Sequence, residues 1–93
     1  MEINRISSQN LQGRVIGCSR LKPKHRKVFR QVLPCLENMI KNKDYDLFIN
    51  LSYGDELRIS TGKIPAYSVV ESNSPAIWIS RTKDIIEYAE TNI

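Results

Sequence analysis

The sequence predicts an α+β domain: a kinked helix in the N-terminal half, packed on a four-stranded antiparallel meander, with a second helix closing the chain. Three features predict this. Val28, Phe29, Val32, Leu33, Leu36, Met39 and Ile40 fall on one stripe at helical spacing. From Asp44 the apolar period drops to two, the mark of half-buried strands. The connections between those strands are short, which favours antiparallel over parallel pairing.

Taken in order, residues 1–22 admit two readings. Ile3 and Ile6 suggest a short strand and Arg14 to Cys18 a second; alternatively Gln9 to Leu21 forms a weak helix, in which Gly13 and Gly17 each cost about 1 kcal/mol. The long helix is expected over residues 23–42. Pro23 suits its first turn, where the missing N–H has no partner in any case. Pro34 lies inside it, but the apolar stripe keeps its phase. Pro34 therefore projects with Arg30, Glu37 and Lys41 on the solvent side, where it bends the helix without breaking it.

Leu47, Ile49 and Leu51 alternate with Phe48 and Asn50 as the first meander strand, and Tyr53-Gly54-Asp55 reads as a hairpin turn. Leu57 and Ile59 alternate with Glu56, Arg58 and Ser60, Tyr67 to Glu71 forms a third strand, and Ser72-Asn73-Ser74-Pro75 is a turn cluster. Ala76 to Ser80 is expected as the fourth strand. Thr82 then caps the closing helix, with Asp84 in its first turn and Ile85, Ile86 and Ala89 on its apolar face.

Ninety-three residues make one domain, 1–93. No apolar run approaches the ~20 residues of a membrane-spanning helix, so no membrane partner is expected. The start, Met1-Glu2-Ile3-Asn4-Arg5, lacks a basic segment followed by an apolar one, so the expected compartment is the cytoplasm. Cys18 and Cys35 are 17 positions apart with no CxxC pair, which reads as two small reduced core residues. Together with His25 they are too few for a metal site; neither metal nor cofactor is expected.

Charge is divided unevenly along the chain. The first 43 residues hold ten of the fourteen Lys/Arg and only Glu2 and Glu37 as acids, net +8, whereas the remainder is net −4. The densest part comprises Arg14, Arg20, Lys22, Lys24, Arg26, Lys27 and Arg30, with no acid among them. Such a cationic end on a mildly acidic body is a footprint for a polyanion or an acidic partner. Several of these residues surround a helix N-terminus, where the macrodipole and unpaired N–H groups also favour phosphate.

Nucleotide-loop, zincin and serine-hydrolase motifs are absent from the sequence, and one histidine excludes His-pair chemistry. His25 falls near the apolar stripe, one turn before Phe29, as a partly buried histidine at a helix start. The sheet face away from the long helix is expected to carry Phe48, Asn50, Arg58, Trp78 and Ser80, with Phe48 and Trp78 as an interaction face.

Glu56-Leu57-Arg58-Ile59, Ile77-Trp78-Ile79-Ser80-Arg81 with Tyr88, and Leu21-Lys22-Pro23-Lys24-His25-Arg26-Lys27-Val28 together resemble RelE/ParE-type toxins. That resemblance implies two helices on a small antiparallel sheet and, in the RelE branch, metal-independent cleavage of messenger RNA. It would make Arg58 and Arg81 phosphate and transition-state stabilisers and Tyr88 a proton-transfer or stacking residue.

Three functional classes follow. The first is a small regulatory protein that binds nucleic acid, RNA ahead of DNA, through phosphate contacts from the 14–30 cluster. The second is a phage-type inhibitor docking the same surface on an acidic host protein. The third is the RelE-like endoribonuclease toxin. The meander leaves sheet edges, so a homodimer through an edge or through the Trp78 face is compatible with each.

Overall fold

The computed structural model describes residues 13–91. The strand expected at Ile3 and Ile6 lies outside them. The order of elements is β1 (Val15–Gly17), α1 (Pro23–Ile40), β2 (Leu47–Leu51), β3 (Leu57–Thr61), β4 (Tyr67–Val69) and α2 (Pro75–Thr91). This is the α+β class, with two helices and a four-stranded mixed sheet in the order β1-β2-β3-β4. No helix of the described residues is long and apolar enough to cross a membrane.

α1 runs unbroken through Pro34, which is exposed with Arg30, Glu37 and Lys41 as the phase argument requires. Its buried face is His25, Val28, Val32, Leu36 and Ile40. In β2 and β3 the odd positions Leu47, Ile49, Leu51, Leu57, Ile59 and Thr61 are buried, and the even ones turn to the open face. Tyr53 and Gly54 form the tip of the β2–β3 hairpin. Asp55 donates its N–H to the Ser52 carbonyl at 3.0 Å, and Ser52 Oγ accepts the Glu56 N–H at 3.0 Å. Asp55 itself takes the left-handed conformation (φ 62°), which Asp tolerates better than most side chains.

The meander is right for β2, β3 and β4, which pair antiparallel. The fourth strand is not where the sequence placed it. It is Val15–Gly17, running parallel to β2 with Ile16 beside Phe48, which also removes the helix reading of 9–21 there. The α1 crossover supplies the length a parallel connection needs.

Ala76 to Ser80 is instead the first turn and a half of α2. Ser74 and Pro75 start the helix: Ser74 Oγ faces the Ile77 N–H at 3.5 Å, the Ser74 carbonyl accepts from Trp78 N at 3.1 Å, and Pro75 needs no donor. Trp78, Thr82, Ile85 and Ala89 then form a buried helical stripe. Trp78 and Ser80 therefore leave the open sheet face, and no Trp78 face is left for a dimer. Thr82 is no cap; it sits mid-helix and donates its hydroxyl to the Trp78 carbonyl at 2.8 Å.

Trp78 is fully buried, its ring centroid 6.3 Å from that of Phe29, with its indole N–H donated to Asn73 Oδ1 at 3.3 Å. α1 packs against β1 and α2, while α2 packs against β3 and β4, so both helices cover one face of the sheet. Tyr45, at the entry to β2, donates its hydroxyl to Glu90 and ties the end of α2 to the sheet. Burial and that carboxylate push the Tyr45 hydroxyl up, and the same bond holds Glu90 down. Cys18 packs at the core edge, but Cys35 is exposed on α1 rather than part of the core; both are free thiols.

Candidate functional site

The seven cations of the 14–30 segment divide once the chain is folded. Arg14 donates its backbone N–H to Asp46 Oδ1 at 2.9 Å and its Nη2 to Asp46 Oδ2 at 3.1 Å, tying β1 to β2. Arg26 folds back on the β1–α1 loop, donating to the Leu21 and Ser19 carbonyls at 2.9 and 2.8 Å. Arg20 donates to the Leu51 carbonyl at 2.8 Å and faces that of Ser52 at 3.4 Å, which fixes it beside the hairpin tip. Lys22 Nζ lies 3.3 Å from Asp55 in an exposed pair, worth little and readily exchanged.

Lys24, Lys27 and Arg30 remain. All three are exposed, and their side chains form no ion pair or hydrogen bond among the described residues. Spaced at i, i+3 and i+6, they make a stripe about 9 Å long on α1.

His25 is only 7% exposed, and its Nδ1 is buried with no partner among the described residues. Burial, then the neighbouring charges of Lys24 and Lys22, hold its pKa below the ordinary value, with Asp55 opposing. Its place at a helix start is as expected.

The open sheet face holds a second arrangement. Cross-strand register places Asn50 beside Arg58 and Arg58 beside Val69, and in the next row Phe48 beside Ser60 and Ser60 beside Tyr67. A cleft of about 570 Å³ opens there, bounded by Arg20 and Tyr53 at the hairpin end and by Ile64 to Tyr67 on the far side. The Arg58 guanidinium carbon lies 4.1 Å from the Tyr67 ring centroid, and that of Arg20 lies 5.3 Å from the Tyr53 centroid. Glu56 Oε1 accepts from Arg58 Nε at 2.8 Å and leaves both terminal nitrogens without a bond among the described residues. Among the described residues no acid lines this cleft.

The residues carried over from the toxin resemblance fall in three places. Arg58 is in the sheet cleft. Arg81, on α2, donates Nε and Nη2 to Glu71 at 3.1 and 2.8 Å and Nη1 to Asp84 at 2.8 Å. The hydrogen bond from Arg81, and then a backbone hydrogen bond, lower the Glu71 pKa to about 2. Tyr88 lines a separate recess with Tyr67, Ser68 and Asp84. Phe48 is half-buried on the open face, separated by the sheet from Trp78 in the core.

Sequence reasoning missed Tyr53, Tyr67 and the role of Arg20. One signal was present, since an aromatic at the tip of a hairpin has nothing to bury against, whereas Tyr67 shares the face of Ser60 through the β3–β4 register that only the fold sets. Among the described residues no cluster of His, Cys, Asp and Glu could hold a metal ion. No protein-family model, curated protein or solved structure matches the chain.

Proposed function

We propose that this protein binds nucleic acid, RNA ahead of DNA, through phosphate contacts made by the N-terminal half of α1. The observation that carries this reading is the stripe Lys24, Lys27 and Arg30. These are three outward cations with no acid partner among the described residues, whereas three of the other four basic residues in the segment, Arg14, Arg20 and Arg26, serve the fold. Like charges at i, i+3 repel across one helix turn, and a polyanion relieves that repulsion. Lys22 joins the stripe once phosphate replaces the exposed carboxylate of Asp55.

The ribonuclease reading has less support, because Arg81 already holds two carboxylates. An acidic host protein would engage the same stripe and is the alternative that the test distinguishes.

The test titrates labelled single-stranded RNA and duplex DNA at several salt concentrations. Four phosphate contacts give a log–log slope of roughly −2.8 on single strands and −3.6 on duplex. Lys24→Glu with Lys27→Glu should flatten the slope and weaken binding while the fold survives, since both side chains are exposed. No binding at low salt assigns the stripe to an acidic protein surface instead.

A further inference from the structure

We infer that the cleft on the open sheet face seats unpaired bases of a single-stranded RNA, with Tyr53 and Tyr67 as the stacking platforms. This rests on the nucleic-acid reading and locates a second part of the site, on the opposite side of the sheet from the α1–α2 layer.

Four observations carry it. Tyr53 is 99% exposed and Tyr67 50% exposed, so neither ring is committed to the core. Each ring has a guanidinium beside it, and these are held in position by the Leu51 and Ser52 carbonyls and by Glu56. The floor between them carries the Asn50 amide and the Ser60 hydroxyl, neither bonded by its side chain to another described residue. An amide offers a donor and an acceptor side by side, as a base edge does, and a hydroxyl can answer a ribose 2′-OH. Among the described residues the lining has two arginines and no acid, and Glu56 holds Arg58 only through Nε, so a phosphodiester passing between stacked bases can meet the terminal nitrogens of Arg58.

A volume of about 570 Å³ is in the range of ligand-sized clefts. In a duplex the bases stack on and pair with each other, and a sheet face cannot reach them; splayed single-stranded bases can lie on aromatic rings and guanidinium planes. Arg20 lies two residues before Lys22 in the chain, and Lys22 reaches the hairpin turn through Asp55, so a strand leaving the cleft past Tyr53 meets the start of α1.

The test compares wild type, Tyr53→Ala, Tyr67→Ala and the Tyr→Phe variant at each site. The probes are a short mixed-sequence single-stranded RNA carrying 2-aminopurine and a duplex of the same sequence. Each alanine variant should lose about tenfold in single-strand affinity, with the salt slope unchanged, duplex binding unchanged and 2-aminopurine quenching reduced. The phenylalanine variants should retain both affinity and quenching. If the alanine variants bind single strands as wild type does while Lys24→Glu with Lys27→Glu has lost binding, the cleft inference fails and the phosphate stripe stands. If wild type binds neither probe at low salt, both readings fall together.

Discussion

The guanidinium of Arg58 lies over the ring of Tyr67, 4.1 Å from its centroid, and the two come from neighbouring strands as a diagonal pair two register positions apart: Arg58 opposes Val69, and Ser60 opposes Tyr67. The Nε hydrogen bond to Glu56 helps to hold the guanidinium in place beside the ring. A lysine here keeps the charge but has neither the plane nor the fixed fork. Arg58→Lys should therefore leave the salt slope of RNA binding unchanged while lowering affinity several-fold. Its cost to stability should stay within about 1 kcal/mol, since an exposed cation–π pair contributes little to folding. Equal affinity for RNA in the two proteins would mean that the site needs only the charge.

Trp78 tests the packing. It is fully buried between the helices and the sheet, touches Phe29 and has its N–H satisfied by Asn73. Trp78→Ala should cost about 3–5 kcal/mol, read from urea unfolding. Trp78→Phe should cost less, because most of the volume stays and the lone N–H leaves with its ring. As the only tryptophan, it should emit in the blue when folded and shift red on unfolding. Native emission at the wavelength of a solvated indole would contradict the burial.

The same residue shows where sequence legibility ended. α1, β2 and β3 were readable because one period ran cleanly through each, and Pro34 did not disturb it. Ile77-Trp78-Ile79 is rich in strand-favouring residues and follows a turn cluster, so local propensity pointed to a strand. The decisive signal was longer in range: Ser74-Pro75 as a helix start and the buried spacing Trp78, Thr82, Ile85, Ala89. The parallel pairing of β1 was less accessible still, because three residues carry no periodicity and their register is set by Arg14 and Asp46 across 32 positions. The basic segment was legible as density but not as surface. Which cations stay outward depends on carbonyls and acids that only the fold brings to them.

Gly13 marks a close approach that no other residue fits. Its φ is 74°, its N–H is donated to the Tyr45 carbonyl at 3.1 Å, and a Cβ there would stand 2.9 Å from the Lys41 carbonyl oxygen. The obstacle is backbone at the end of α1, which cannot rotate away. Gly13→Ala should lower stability by more than about 1 kcal/mol, the left-handed penalty alone being of that order. The measurement is a thermal melt, with Gly62→Ala as the control: its Cβ would find ordinary contacts at 3.6 Å or more. Equal melting shifts for the two variants would show that the approach at Gly13 is looser than the geometry gives.

His25 should make stability fall in mild acid. In the folded protein its pKa is lowered, first by burial and then by Lys24 and Lys22, against a weaker opposing pull from Asp55. The unfolded chain binds a proton near the ordinary value of 6.5, and the folded one does so only at lower pH. Between those points the unfolded state holds more protons, so stability rises with pH there and is lost as pH falls below about 6.5. Glu71 contributes in a separate window: its lowered pKa stabilises the fold above the ordinary carboxylate value, and that contribution is lost as pH falls toward about 2. His25→Leu separates the two. It removes the titration and the buried Nδ1, which has no partner among the described residues, so its stability should be flat from pH 7 to 5. The fall at more acidic pH should remain. Urea midpoints across that range decide the matter, and an undiminished slope between pH 7 and 5 in His25→Leu would place the acid sensitivity elsewhere.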